Sequence, residues 1–173
     1  MKEYAEKLKE IYSNLNIIVS TDCPKIKEIS KLSKIHVIDR PKDISGNKTS
    51  MYFVILHVLK KIDTMNKIKY VVLLQPTSPI RKINWVLKGI EILNRNSKFE
   101  NLIHLTRLNK YIGKLKNNEW KPEFSTDTTR SQDILNQLEP SGCLFIYKRK
   151  NFENKRKFDK RLTYGLVSHN FKT

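Results

Sequence analysis

The sequence predicts an α/β fold built on a parallel sheet, and three observations carry that prediction. Short apolar runs alternate with amphipathic helices over the first two-thirds of the chain, as βαβ units do. The run Tyr70-Val71-Val72-Leu73-Leu74 is apolar on both faces, as a strand covered by helices on either side must be. It stops at Gln75-Pro76-Thr77-Ser78-Pro79, a rigid polar loop where open α/β sheets bind ligands, outside the carboxyl end of a strand.

The elements follow in order. Residues Glu3 to Leu15 place Tyr4, Leu8, Ile11, Tyr12 and Leu15 at helical spacing, and Asn16 is expected to close that helix. Ile17 to Thr21 reads as a short buried strand. Asp22 suits an N-cap, with Pro24 just behind it opening a helix that carries Ile26, Ile29 and Leu32. A second short strand at Ile35 to Ile38 ends in Asp39-Arg40-Pro41, and Gly46-Asn47 marks a turn. Ser50 is placed to cap the clearest amphipathic helix, where Met51, Val54, Ile55, Val58, Leu59 and Ile62 repeat at three and four. After the Tyr70 strand come a helix bearing Ile83, Val86, Leu87, Ile90 and Leu93, and a strand at Leu102 to Thr106. From Lys110 to Asn136 the pattern turns polar and irregular. That stretch is long for a loop, so an insertion with its own β-hairpins, or a partner contact, is expected there. Regular structure returns at Cys143 to Tyr147.

Composition bounds the rest. With 173 residues the chain is large enough for one domain with a real core, taken here as 1–173. No stretch approaches the run of about 20 apolar residues that a membrane span needs. The charged start MKEYAEKLKEIYSNL lacks the apolar centre of a signal peptide. Cys23 and Cys143 have no metal-ligand spacing and read as small buried residues in a reducing compartment, so the expected location is the cytoplasm. A net charge of +17 invites phosphate backbones, but lysine supplies 26 of the 34 basic residues, and Lys, Asn and Ile fill 60 of 173 positions. That is the mark of AT-rich coding more than of a nucleic-acid surface. Only Lys148 to Arg161 is locally dense in cations.

Four blocks then resemble one family, the CMP-sialic acid synthetases (acylneuraminate cytidylyltransferases). They are Ile17-Ile18-Val19-Ser20-Thr21-Asp22; Arg40-Pro41 with Ser45-Gly46 and the helix containing His57; Leu73-Leu74-Gln75-Pro76-Thr77-Ser78-Pro79-Ile80-Arg81; and Arg130-Ser131-Gln132-Asp133 leading to Pro140-Ser141-Gly142. The third block is the most specific, and it fits this branch better than the sister synthetases for the eight-carbon sugar KDO. The resemblance implies a Rossmann-like three-layer nucleotidyltransferase fold and transfer of CMP from CTP to a nonulosonic (sialic-type) acid, with Mg²⁺ as cofactor. It places Arg40 and Ser50 on the nucleotide side. Gln75, Ser78, Arg81, Arg130 and Ser141 fall on the sugar side, with the Arg130 guanidinium suited to fork a carboxylate. Each has a plainer reading as well: Arg40 as a loop anchor, Ser50 as a helix cap, Gln75 as a partner for buried backbone groups, Arg130 as an exposed cation. His57 reads as packed core, and His36, His104 and His169 are assigned no role.

The chain also departs from the family pattern. Nothing before Ile17 matches the first strand and the Gly- and Lys-rich loop that wraps the CTP phosphates. For the SIDIDT-like segment that would hold the metal there are two alignments: ungapped, Ser168 to Thr173 puts Asn170 and Lys172 in place of the aspartates, and with a small shift the chain stops before the segment; neither supplies a carboxylate pair. Pro-Asn-Gly is Pro140-Ser141-Gly142, and a second serine after Ser50 is Met51. The expectation is therefore a fold lacking its usual first strand, truncated at the N-terminus and degenerate at the metal site, binding Mg²⁺ poorly and inactive as this chain alone. The alternatives are a non-catalytic binding or assembly partner of a complete synthetase, as a homodimer or hetero-partner, and, weakest, a nucleic-acid binder using the basic tail.

Overall fold

The computed structural model describes residues 2–65, 67–108, 112–123, 137–153 and 162–167. Helix α1 (Lys2–Ile11) stops short of Leu15, because Ser13, Asn14 and Asn16 favour turns over another helical turn. Strand β1 (Ile18–Thr21) leads into α2 (Pro24–Leu32) and β2 (His36–Asp39). Asp22 does not cap α2. Cys23 holds the cap position with no side-chain bond, and its N–H donates to Thr21 Oγ1 at 3.1 Å. Pro24 opens the helix and has no N–H to satisfy, so one fewer donor calls for a cap. Ser50 does cap α3 (Met51–Ile62), accepting from the Tyr52 N–H at 3.3 Å.

Strand β3 (Tyr70–Leu73), helix α4 (Ile83–Arg95) and strand β4 (Asn101–Arg107) follow. Within the expected insertion, β5 (Gly113–Lys116) and β6 (Glu119–Pro122) form an antiparallel hairpin through Asn117 and Asn118, both at positive φ. Strand β7 (Leu138–Lys148) and strand β8 (Thr163–Val167) complete the set.

Strands β1 and β2 make a two-stranded parallel sheet, while the larger sheet has the order β3-β7-β4-β8. The sheet is mixed, not uniformly parallel: β7 runs antiparallel to both β3 and β4, and only β8 is parallel to β4. The cause is the connection. Among the described residues between β4 and β7 there is the β5–β6 hairpin and no crossover helix, and parallel pairing requires a crossover.

Two apolar layers sandwich the larger sheet. On one face α1 and α4 bury Leu8, Val86 and Leu93 against Leu102, Leu144, Ile146 and Leu166. Gly89 of α4 lies so close that an added Cβ would sit 2.6 Å from Ile146 Cδ1. On the other face α3 buries Tyr52, Ile55 and Leu59 against Tyr147 and Phe152. Each fully buried aliphatic side chain contributes roughly 1.5–3 kcal/mol, so Ile146 and Leu102 anchor the layers. Among the described strands β1 and β3 each have a single neighbour, and Ile18, Val19, Val71, Val72 and Leu73 are only half-buried.

Candidate functional site

The loop after β3 is built by its own sequence. Pro76 and Pro79 fix their φ angles, and the Ser78 N–H donates to the Gln75 carbonyl at 3.2 Å. Arg81 then folds back under the loop. Its Nη2 donates to the Gln75 carbonyl at 2.6 Å and also to the Ser78 carbonyl. Tyr4 of α1 lies 6.0 Å beneath the guanidinium, and its hydroxyl donates to the Lys82 carbonyl at 3.2 Å. Burial pushes the Tyr4 hydroxyl up to about 12, with Arg81 pulling the other way. Burial also works against the Arg81 charge, and its Nε and Nη1 have no hydrogen-bond partner among the described residues.

The facing wall comes from an irregularity in β7. Ile103 pairs with Phe145 and Leu105 with Pro140, so His104 alone stands opposite residues 141–144. A bulge of this kind re-aims side chains and backbone near sites. Gly142 sits in it at φ +74°, where a Cβ would meet Ser78 Oγ at 2.7 Å and Gln75 Oε1 at 3.3 Å. Only glycine lets the β7 backbone come this near the loop. Ser78 Oγ closes the contact, donating to the Ser141 carbonyl at 3.1 Å.

Beneath the bulge lies a cluster that no spacing in the sequence announced. Ser141 Oγ is 2.7 Å from His104 Nδ1 and 2.8 Å from Cys143 Sγ, and it accepts from the Cys143 N–H at 3.3 Å. His104 has no exposed surface, and Trp85 of α4 stacks on it at 4.2 Å between ring centroids. Burial lowers the His104 pKa below its ordinary 6.5, so the ring is held neutral. Only the register of β4 on β7 brings His104, Ser141 and Cys143 together.

The proposed site residues divide accordingly. Gln75, Ser78, Arg81 and Ser141 meet at the carboxyl end of β3. Among them Gln75 keeps its side-chain amide unbonded to any described residue and half-exposed. Ser78 and Arg81 brace the loop, and the Ser141 hydroxyl turns inward. Arg40 donates to the Ser20 carbonyl and, at 3.4 Å, to Ser20 Oγ, tying the ends of β1 and β2 together. His57 is half-buried. Of the two cysteines, Cys143 is buried and Cys23 only half-buried. Arg130 lies outside the described residues. Among the described residues no three His, Cys, Asp or Glu side chains gather, and the charge at the loop is the Arg81 cation. Ser168 to Thr173, where the resemblance puts the metal segment, lies outside the described residues. No helix described is long and apolar enough to cross a membrane.

No family model matches the chain. It is 23% identical over 155 residues to the N-acylneuraminate cytidylyltransferase of Escherichia coli, covering 87% of this chain and 36% of that protein. It is 24% identical over 161 residues to the protein of the same name from Streptococcus agalactiae, covering 90% and 38%. The chain therefore spans little more than a third of the length of these relatives. In fold it matches a CMP:2-keto-3-deoxy-manno-octonic acid synthetase complexed with CTP, with a TM-score of 0.58, 11% identity, and 95% and 79% of the two chains covered. A 4-diphosphocytidyl-2C-methyl-D-erythritol synthase from Anaerococcus prevotii matches with a TM-score of 0.59 and 13% identity over 96% and 75%. Sequence and fold point the same way: the chain is similar in sequence to N-acylneuraminate cytidylyltransferases, and it shares the α/β fold of these two synthases.

Proposed function

We propose that this chain supplies the sugar-acid side of a cytidylyl-transfer site. In that reaction the anomeric hydroxyl of a nonulosonic acid attacks the α-phosphate of CTP, the new P–O bond forms, and pyrophosphate leaves. The observation that carries the reading is Gln75. Its amide offers one acceptor and two donors on a loop that Arg81, Ser78 and Gly142 hold rigid. Such a shelf orients a polyhydroxyl acid without paying to order itself. Arg130 is the proposed carboxylate clamp, and Arg40 and Ser50 the proposed nucleotide-side residues.

Turnover is a separate matter. The resemblance finds no Gly- and Lys-rich phosphate loop in residues 1–173 and, on the ungapped match, puts Asn170 and Lys172 where the metal aspartates would be. The chain by itself is therefore proposed to bind the sugar acid without converting it. Titration calorimetry with a panel of nonulosonic acids tests the first half: binding should weaken about tenfold in Gln75→Ala, the worth of a net hydrogen bond or two. Unchanged affinity rejects the shelf. Steady pyrophosphate release from the purified chain with CTP, Mg²⁺ and the same acids rejects the second half.

A non-catalytic assembly role is favoured by one observation: among the described strands, β1 and β3 each have an edge with no strand paired to it. Such edges pair readily with another chain. Co-purification with a complete synthetase would support this role, and a strictly monomeric chain that captures none would count against it.

A further inference from the structure

At the other end of the larger sheet, away from Gln75, lies a second cleft. Its volume is about 400 Å³, within the range of small-molecule sites. It is lined by Lys69 and Tyr70 at the start of β3, Leu93 and Asn94 at the end of α4, and Lys148 and Arg149 where β7 ends, among others. Three lysines converge on it from elements far apart in sequence. Lys150 Nζ is paired with Glu100 Oε1 at 2.8 Å, and Arg149 with Asp63 at 2.9 Å and Glu153 at 3.1 Å. Lys69 and Lys148 have only neutral acceptors among the described residues. Lys69 Nζ donates to Asn94 Oδ1 at 2.7 Å, and Lys148 Nζ to the Asn96 carbonyl at 3.4 Å.

We propose that this cleft binds an organic phosphate of nucleotide size, its phosphoryl group between Lys69 and Lys148 and its body against Ile68 and the Tyr70 ring. The plainer role for the lysines is to neutralise the carboxyl end of α4. That end carries roughly half a negative charge, less than the two uncompensated cations supply. The crowding shows at Lys148. Burial first, then Lys150 and Lys69, hold its pKa below the ordinary value, while Glu100 pulls it back up. A dianion seated there would relieve that repulsion, and the apolar wall would distinguish an organic ester from a free ion.

Adenosine 5′-monophosphate is the probe, followed by ¹H–¹⁵N NMR. Saturable shifts are expected at the Asn94 side-chain amide and at the backbone amides of Lys69, Tyr70 and Arg149, with Gln75 and Gly142 still. Binding should weaken at least tenfold in Lys69→Ala/Lys148→Ala and stay within twofold in Lys114→Ala/Lys116→Ala, both checked for folding by circular dichroism. Lys148→Gln alone, which keeps the stem, should weaken it severalfold. Four results overturn the proposal: no saturation at millimolar probe, shifts centred on Gln75, equal loss in both double variants, or inorganic phosphate binding as tightly as the ester.

Discussion

Gly142 is the residue on which the shelf turns. Alanine there would have to hold φ +74° with its Cβ 2.7 Å from Ser78 Oγ. The left-handed conformation alone costs about 1–2 kcal/mol. Gly142→Ala should therefore lose at least that much stability in urea and weaken sugar-acid binding as well. A variant as stable as the parent would mean that the bulge can relax. His104 gives a pH-dependent prediction. Its folded pKa is depressed by burial, whereas the unfolded chain takes up a proton near 6.5. The stability it lends is thus complete above 6.5 and is lost as the pH falls below that value. The slope can reach about 1.4 kcal/mol per pH unit for one proton. Replacing it in His104→Gln should flatten that part of the profile, and identical profiles would refute a neutral buried imidazole. Nothing in the sequence around His104 signalled this, since its partners are 37 and 39 residues away.

At the scale of elements, two joints differ in kind. The α3 cap is local: Ser50→Ala removes one acceptor and should cost about 1 kcal/mol, read from the shift in denaturation midpoint. The joint between the end of α3 and the end of β7 is not local. Asp63 is 2% exposed, accepts from the N–H groups of Lys67 and Ile68, and pairs with Arg149. Burial would raise its pKa, but the Arg149 hydrogen bond and the two backbone donors prevail and hold it below the ordinary 3.8. Its contribution is therefore present above that value and lost only in strong acid. Asp63→Ala leaves the 15%-exposed guanidinium of Arg149 with Glu153 but takes the acceptor from two backbone donors, which should cost about 2 kcal/mol. A loss below about 1 kcal/mol would mean that water replaces the carboxylate. The Ser50 cap was legible because a cap and its helix are neighbours in sequence. The Asp63–Arg149 pair was not, because 86 residues separate its members.

Over the whole molecule, the separation of the β1–β2 sheet from the four-stranded sheet sets the dynamics. Strands β7 and β4 are paired on both edges, while β1 and β3 are paired on one. Hydrogen exchange should accordingly be slowest at Leu102 and Ile146, both fully buried, and much faster across β1 and β2. Uniform protection over all these strands would show that the two sheets open only together. An added apolar strand that paired with β1 and β3 should slow exchange at those strands first.

The sequence by itself determined the alternation of strands and helices, the amphipathic faces, the Ser50 cap and the loop at the end of the Tyr70 strand. All of these are written in spacings of a few residues. It also pointed to Gln75, because an apolar strand stopping at a polar, proline-fixed turn is a local pattern. Tertiary structure alone decided that β7 runs antiparallel, since the path of a long connection has no local code. It likewise decided that Ser141 turns inward onto His104 and that Lys69 and Lys148 share a cleft. Those juxtapositions arise from strand register and packing, which bring together side chains that no window along the chain holds at once.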